Sequence, residues 1–249
     1  DWSFLADEAK TVDHVHRGAH VSARATQALT KTYYDVDNMY RYHSGCSGGG
    51  RMGVMAAIHH PEDYDGYLIG APGITTENIL NFIWISQHME KLPGRKFDKL
   101  KLQTLENSVI GQCDASDGVV DQMVWDIRQC QYDPGVLQCA EQAVEEGCFT
   151  VAEVEAIRAI LAGPQSPEGR VYPGLSPANP TGWQFFLNSM AEIIANSFSR
   201  AYFGQEYDFK REFDFNRAED LEAWWAAVEN TGFGERASAD YSGVRDAGG

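Results

Sequence analysis

Residues 41–53 read RYHSGCSGGGRMG, an alternation of polar and aromatic side chains that runs into a Cys-Ser pair and three glycines. Three readings compete for this stretch: a flexible loop, a phosphate cradle, or a sharp bend that presents a serine. A phosphate loop needs Gly-Lys-Ser/Thr after its glycines, and none follows here. A dinucleotide fingerprint needs G-x-G-x-x-G spacing and a later ribose-binding acid, and both are missing. What remains is Gly45-Cys46-Ser47-Gly48-Gly49, a G-x-S-x-G pattern. The alternation over residues 39–45 predicts a strand before it, and Gly48 to His59 predicts a helix after it. Strand, serine turn and helix form the context of a nucleophile elbow. Such a serine sits on strained backbone, so the residues two positions to either side must lack bulk. In return, its hydroxyl lies at a helix N-terminus, where the Gly48 N–H is one donor for a developing oxyanion. The residues alone leave open a glycine-rich turn with an incidental serine.

Working outward, Val12, Val15, Ala19, Ala23, Thr26, Leu29 and Tyr33 recur every three or four positions. That spacing predicts an amphipathic helix over residues 12–34. Met52, Met55, Ala56 and His59 share one face of the helix after the serine. PEDYDG ends that helix, and YLIGAP predicts a short buried strand. Residues 1–72 therefore predict a leading helix and a βαβ unit, part of an α/β core. After Pro72 the alternation stops. ITTENILNFIWISQHMEKLP and DKLKLQTLENSVIGQC predict helices, and a cysteine-stapled acidic loop occupies residues 113–148. Thr150 with Glu153 predicts a capped helix running to Leu161. Residues 163–182 carry five prolines and predict irregular chain, followed by aromatic-rich segments. This half reads as a large, mostly helical insertion or cap. Trp183, Phe185, Phe186, Tyr202 and Phe203 are candidates there for a stacking surface or for core.

A serine nucleophile needs a base, and elbow enzymes place Asp or Glu and then His after the serine. His14, His16, His20 and His43 precede Ser47. His59 and His60 lie on the following helix, about 18 Å away at its terminus. His88 falls in the cap-like segment, and no histidine follows it. Either the serine is inert or its base lies outside this chain.

The net charge of −16 argues against nucleic acid as a partner. No run approaches 18 apolar residues, so no transmembrane helix is expected. DWSFLADEAK has neither the basic start nor the apolar stretch of a signal peptide. Five cysteines stand at 46, 113, 130, 139 and 148, without a CxxC pair. Four of them clustered in loop sequence read as disulfides and imply an oxidising compartment, secreted or periplasmic. Three pairings are possible, and nearest-neighbour bridging gives Cys113–Cys130 and Cys139–Cys148. Cys46 is left as a buried free thiol or as half of a bridge to a partner elsewhere.

In CDASDGVVDQM, residues 113–123, Asp114, Asp117 and Asp121 surround Gly118. Calcium takes six to eight hard oxygens. A turn at Asp117-Gly118 would curl the carboxylates inward, with the carbonyls of Val119 and Met123 completing the shell. The spacing is not that of an EF-hand, and a solvated Asx turn is the alternative.

Four segments together resemble the tannase and feruloyl esterase family of α/β-hydrolases, which includes mono(2-hydroxyethyl) terephthalate hydrolases. They are RGAHVSARATQALTKTYY, YHSGCSGGGRMGVMAAIHHPEDYDGYLIGAP, CDASDGVVDQMVWDIRQCQYDPGVLQC and FDFNRAEDLEAWW. The resemblance implies a serine esterase of aromatic (hydroxycinnamoyl or galloyl) esters drawn from plant cell wall or tannin. Ser47 would be the nucleophile and Gly48 an oxyanion donor. Asp114, Asp117, Val119, Asp121 and Met123 would be ligands of a structural calcium in a lid domain. It also implies that Cys46 bridges to a cysteine beside the catalytic histidine. On this reading residues 1–72 are a partial core, 73–240 the lid, and 241–249 the start of a return to the core. The triad Asp and His would then lie beyond residue 249. Gly48 departs from the family, many members of which carry a bulkier residue there.

Overall fold

The strand, turn, helix and strand predicted around the serine form in that order. The computed structural model describes residues 2–73, 76–140, 147–231 and 240–248, and the chain divides into two units. The first comprises Asp1–Thr76, Ala201–Gly204 and Glu222–Gly249. Its leading helix starts earlier than predicted, at α1 (Glu8–Val12), where the Asp7 carboxylate caps by accepting from the Lys10 N–H. One π turn, Asp13–Arg17, joins α1 to α2 (Gly18–Tyr34). The predicted apolar stripe is only partly covered: Val15 is buried, while Leu29 and Tyr33 are 71% and 82% exposed. Periodicity decides which residues share a face; it does not guarantee a neighbour for all of that face.

Strand β1 (Tyr42–Cys46) pairs in parallel with β2 (Gly66–Gly70), Tyr42 opposite Gly66 and Cys46 opposite Gly70. Between them runs α3 (Gly48–His59), with the predicted bounds. It lies close on one face of the pair: a Cβ on Gly53 would meet the His43 ring at 2.6 Å and Ile69 at 3.2 Å. The buried residues of α3 include Gly50, Gly53, Val54 and Ala57, whereas Met52 is 39% exposed. Met55 and Ala56 of the predicted face are buried as well, so that face is borne out in part. The buried surface extends past it to the glycines, which make the approach and which a count of apolar residues does not score. On the opposite face of the pair Tyr42 and Leu68 are both 71% exposed, so β2 is not the buried strand its composition predicts.

The second unit comprises Glu77–Arg200 and Gln205–Leu221. Its helices begin with α4 (Glu77–Glu90), α5 (Lys99–Cys113) and α6 (Val151–Ala162). Asp98 caps α5, and the predicted Thr150/Glu153 capping box starts α6. Ile85, Leu102, Leu105, Phe149, Ile157 and Ile160 form a core in which each is 0–1% exposed. Filling such positions with apolar side chains stabilises the unit by roughly 1.5–3 kcal/mol per residue. The proline-rich stretch contains one short hairpin, β3 (Gln165–Ser166) with β4 (Gly169–Arg170). Trp183 is core, 4% exposed with its indole N–H donating to the Ser176 carbonyl, while Phe185 is 61% exposed. The chain continues through α7 (Ala191–Phe203), α8 (Phe209–Glu212), α9 (Ala218–Thr231) and α10 (Ser242–Asp246). Among the described residues no helix is long and apolar enough to cross a membrane.

Candidate active site

Ser47 has φ 57° and ψ −116°. Positive φ is disfavoured for any residue with a side chain, so the surrounding structure must hold the serine there. Its N–H donates to the Gly70 carbonyl at 3.0 Å, and its own carbonyl accepts from the Arg51 N–H at 2.9 Å. The turn is thus tied to the end of β2 on one side and to the first turn of α3 on the other. Gly45 is sterically required, since a Cβ there would lie 2.5 Å from the backbone of Gly49. The converse fails: a Cβ on Gly49, or on Gly48, meets nothing within 4 Å. The expected symmetry of small neighbours is therefore one-sided. Gly50 is also required, because its Cβ would run into the Gly70 carbonyl and Pro72. Ser47 and Gly48 are exposed, and the first N–H groups of α3 have no partner within the helix. A hydroxyl on strained backbone beside free amides can attack a carbonyl and stabilise the resulting oxyanion.

The histidines are engaged elsewhere. His43 Nε2 donates to the Gly49 carbonyl at 2.9 Å, and His88 Nδ1 donates to the Trp84 carbonyl at 2.8 Å. His14 Nε2 accepts from Arg51. The other four form a cluster that the sequence reading did not anticipate. His16 Nδ1 lies 3.1 Å from His60 Nε2, His20 stacks on His60 at 3.9 Å, and His16 stacks on His59 at 4.4 Å. His20 Nδ1 donates to Asp63 at 2.7 Å, and Asp63 is fully buried. The available signal was the four-residue spacing of His16 and His20, one face of a helix, opposite a His-His pair ending the next. Burial, and then the charge of His20, push His60 below the usual imidazole range.

Cys113–Cys130 and Cys139–Cys148 are disulfides, with Cα atoms 5.4 and 5.0 Å apart. Cys46 is free and exposed, so it is not a buried thiol. In the acidic loop Gly118 takes φ 92°, the left-handed turn that the Asp-Gly pair predicts. Asp117 accepts from the Val119 N–H and Asp121 from the Met123 N–H, both Asx turns. The 8%-exposed Asp114 accepts from the N–H groups of Asp121 and Gln122 at 3.1 and 3.0 Å. The donor chemistry suits calcium. In this arrangement the carboxylates serve loop amides, and among the described residues no group of three or more His, Cys, Asp or Glu is set to hold an ion.

Residues 1–217 match the family model described as tannase and feruloyl esterase. The chain is 30% identical over 190 residues to an uncharacterized esterase of Xanthomonas campestris pv. campestris, covering 74% of this chain and 33% of that protein. It is 29% identical over 192 residues to a probable feruloyl esterase B-1 of Aspergillus fumigatus, covering 75% and 36%. Among solved structures, feruloyl esterase B from Aspergillus oryzae superposes with a TM-score of 0.79 at 23% identity, covering 99% of this chain and 50% of that one. Tannin acyl hydrolase from Aspergillus niger gives 0.72 at 21%, covering 98% and 48%. The chain thus spans about a third of the length of the curated relatives it matches. These two structural likenesses establish the α/β-hydrolase-like fold, and the match over residues 1–217 places the chain in the tannase and feruloyl esterase family.

Proposed function

We propose that the protein is a serine carboxylic ester hydrolase of aromatic esters. The observation that carries this is Ser47 itself: a non-glycine residue held at positive φ, between a strand and the N-terminus of α3. Ser47 Oγ attacks the ester carbonyl and gives up its proton, and the tetrahedral oxyanion is held by the Gly48 N–H. Its collapse breaks the ester C–O bond, expelling the reprotonated alcohol and leaving an acyl-enzyme that water then hydrolyses to the free acid. The base that takes the serine proton, and the acid that orients it, are assigned to parts of the polypeptide outside these residues. Relatives called feruloyl esterase and tannin acyl hydrolase support hydroxycinnamoyl or galloyl esters as the substrate class. We assign residues 1–72 to the core, 73–240 to the lid and 241–249 to the return to the core. The second unit, Glu77–Arg200 with Gln205–Leu221, lies within that lid range, whereas Ala201–Gly204 and Glu222–Gly249 group with the first unit. Two disulfides fit an oxidising, extracellular setting.

The test is hydrolysis of methyl ferulate and methyl gallate by the full-length gene product beside Ser47→Ala. Loss of about 10⁵–10⁶ in kcat is expected when a nucleophile is removed. Wild-type turnover by the variant would overturn the assignment. A second reading, a non-catalytic calcium-binding remnant, draws on the engagement of all seven histidines away from Ser47. Inactivity of both proteins on both esters would favour it.

The residues proposed for a structural calcium are Asp114, Asp117 and Asp121, with the carbonyls of Val119 and Met123. Trp125 supplies a reporter, since its backbone N–H and its indole N–H reach Asp117 and Asp121, each at 3.4 Å. Calcium binding should change Trp125 fluorescence and raise Tm by mass action, and Asp117→Asn should blunt both effects. An unchanged spectrum and Tm at millimolar calcium would remove the ion from the account.

A further inference from the structure

Arg51 stands one turn into α3 and is only 8% exposed, which is rare for arginine. Its guanidinium reaches back to the π turn between α1 and α2. Nη2 donates to the His14 carbonyl at 3.1 Å and to His14 Nε2 at 3.0 Å, and Nη1 donates to the Val15 carbonyl at 3.4 Å. Three acceptors on two consecutive residues suit a planar fork, and a lysine ammonium cannot reproduce that grip.

Both sides of this clamp are built. A π turn inserts an extra residue into a helix and is found frequently at functional sites. Here the Gly18 N–H closes the turn onto the Asp13 carbonyl. Gly18 is needed for that closure, because a Cβ there would lie 2.8 Å from the Asp13 oxygen. His14 stays a neutral acceptor at ordinary pH, because burial and then the charge of Arg51 push it down to about 4. At the other end, the Arg51 N–H holds the carbonyl of Ser47. The clamped residue therefore belongs to the same helical turn as the strained serine.

We infer that Arg51 is a positioning residue for ester hydrolysis: clamped onto the π turn, it fixes the first turn of α3 and hence the aim of the Gly48 N–H at the developing oxyanion. This rests on the reading of Ser47 as nucleophile. Stability alone does not call for a buried guanidinium, since well-packed apolar side chains often serve as well or better. Aim does call for one, because an oxyanion donor works within a few tenths of an ångström and a shift of about 1 Å can reduce turnover roughly 100-fold.

The experiment measures kcat, KM and Tm for the full-length gene product carrying Arg51→Lys or Gly18→Ala, with Ser47→Ala in parallel. Arg51→Lys should lower kcat about 10- to 100-fold on methyl ferulate. KM should stay within about twofold and melting should remain cooperative. Gly18→Ala alters only the acceptor side and should lower kcat in the same sense; it decides the matter alone if Arg51→Lys does not fold. Folded variants with wild-type kcat, or a loss confined to KM, would overturn the inference. If Ser47→Ala kept its activity, the nucleophile reading itself would fall. An inactive Ser47→Ala beside unimpaired Arg51→Lys and Gly18→Ala would leave that reading standing and sink the clamp alone.

Discussion

At the scale of single residues, the glycines around Ser47 make opposite demands. Gly45→Ala places a methyl 2.5 Å from the Gly49 backbone. Neither strand nor helix can move away without breaking the turn, so a loss of about 1–3 kcal/mol or more is expected. Gly48→Ala adds a methyl that meets nothing within 4 Å, in a helix where alanine is favoured by up to about 1 kcal/mol. Urea denaturation of the two variants should therefore move the midpoints in opposite directions. A stable Gly45→Ala would show that the turn does not depend on close approach. The serine turn was legible in the sequence because its steric conditions leave a pattern of small residues in strand-to-helix context. Which glycines are obligatory was not legible, since Gly45 and Gly49 look equivalent as letters and differ only in where their hydrogens point. Arg51 was hidden for a related reason: two of its three acceptors, the carbonyls of His14 and Val15, belong to the backbone and carry no sequence signature.

At the scale of elements, strand, helix and cap were readable wherever local chemistry decides them. α3 keeps its predicted bounds, and α6 starts at the predicted capping box. Tertiary neighbours were not readable, and the contact of the π turn and α2 with the end of α3 is the clearest case. That contact is made by imidazoles: His16 and His20 against His59, His60 and the buried Asp63, with His14 on Arg51 nearby. It should be sensitive to acid. Burial pushes His60 below the ordinary imidazole range, and burial with the Arg51 charge pushes His14 to about 4. A group with a depressed folded-state pKa binds its proton more readily in the unfolded chain. Stability is then complete above the unfolded value near 6.5 and is lost as pH falls toward 4. Urea midpoints measured from pH 7 to pH 4 should fall across that window. His14→Gln keeps an acceptor for Arg51 but cannot titrate, so its curve should be flatter. An identical slope in the variant would show that His14 does not contribute to the acid sensitivity.

At the scale of the whole chain, a net charge of −16 acts against a set of uncovered apolar side chains. Tyr42, Leu68, Leu29 and Tyr33 are all at least 71% exposed, and they fall on the outer face of the β1–β2 pair and on α2. A pair of strands is at best marginal without further strands or a covered face, and large apolar side chains left uncovered on a sheet face promote association. The charge opposes association through repulsion that reaches about 10 Å at 0.1 M salt and only about 3 Å at 1 M. The two effects therefore predict a sign. Light scattering from the 249-residue chain should show little association at about 0.02 M salt and growing association toward about 1 M. Leu68→Lys, which puts a cation into the apolar face, should suppress that growth even though it lowers the net negative charge. The two explanations separate on this variant. If Leu68→Lys associated more readily than the parent, net charge alone would govern solubility and the exposed sheet face would be incidental. If it associated less, that face drives the contact and the acidic surface is what holds copies of the chain apart.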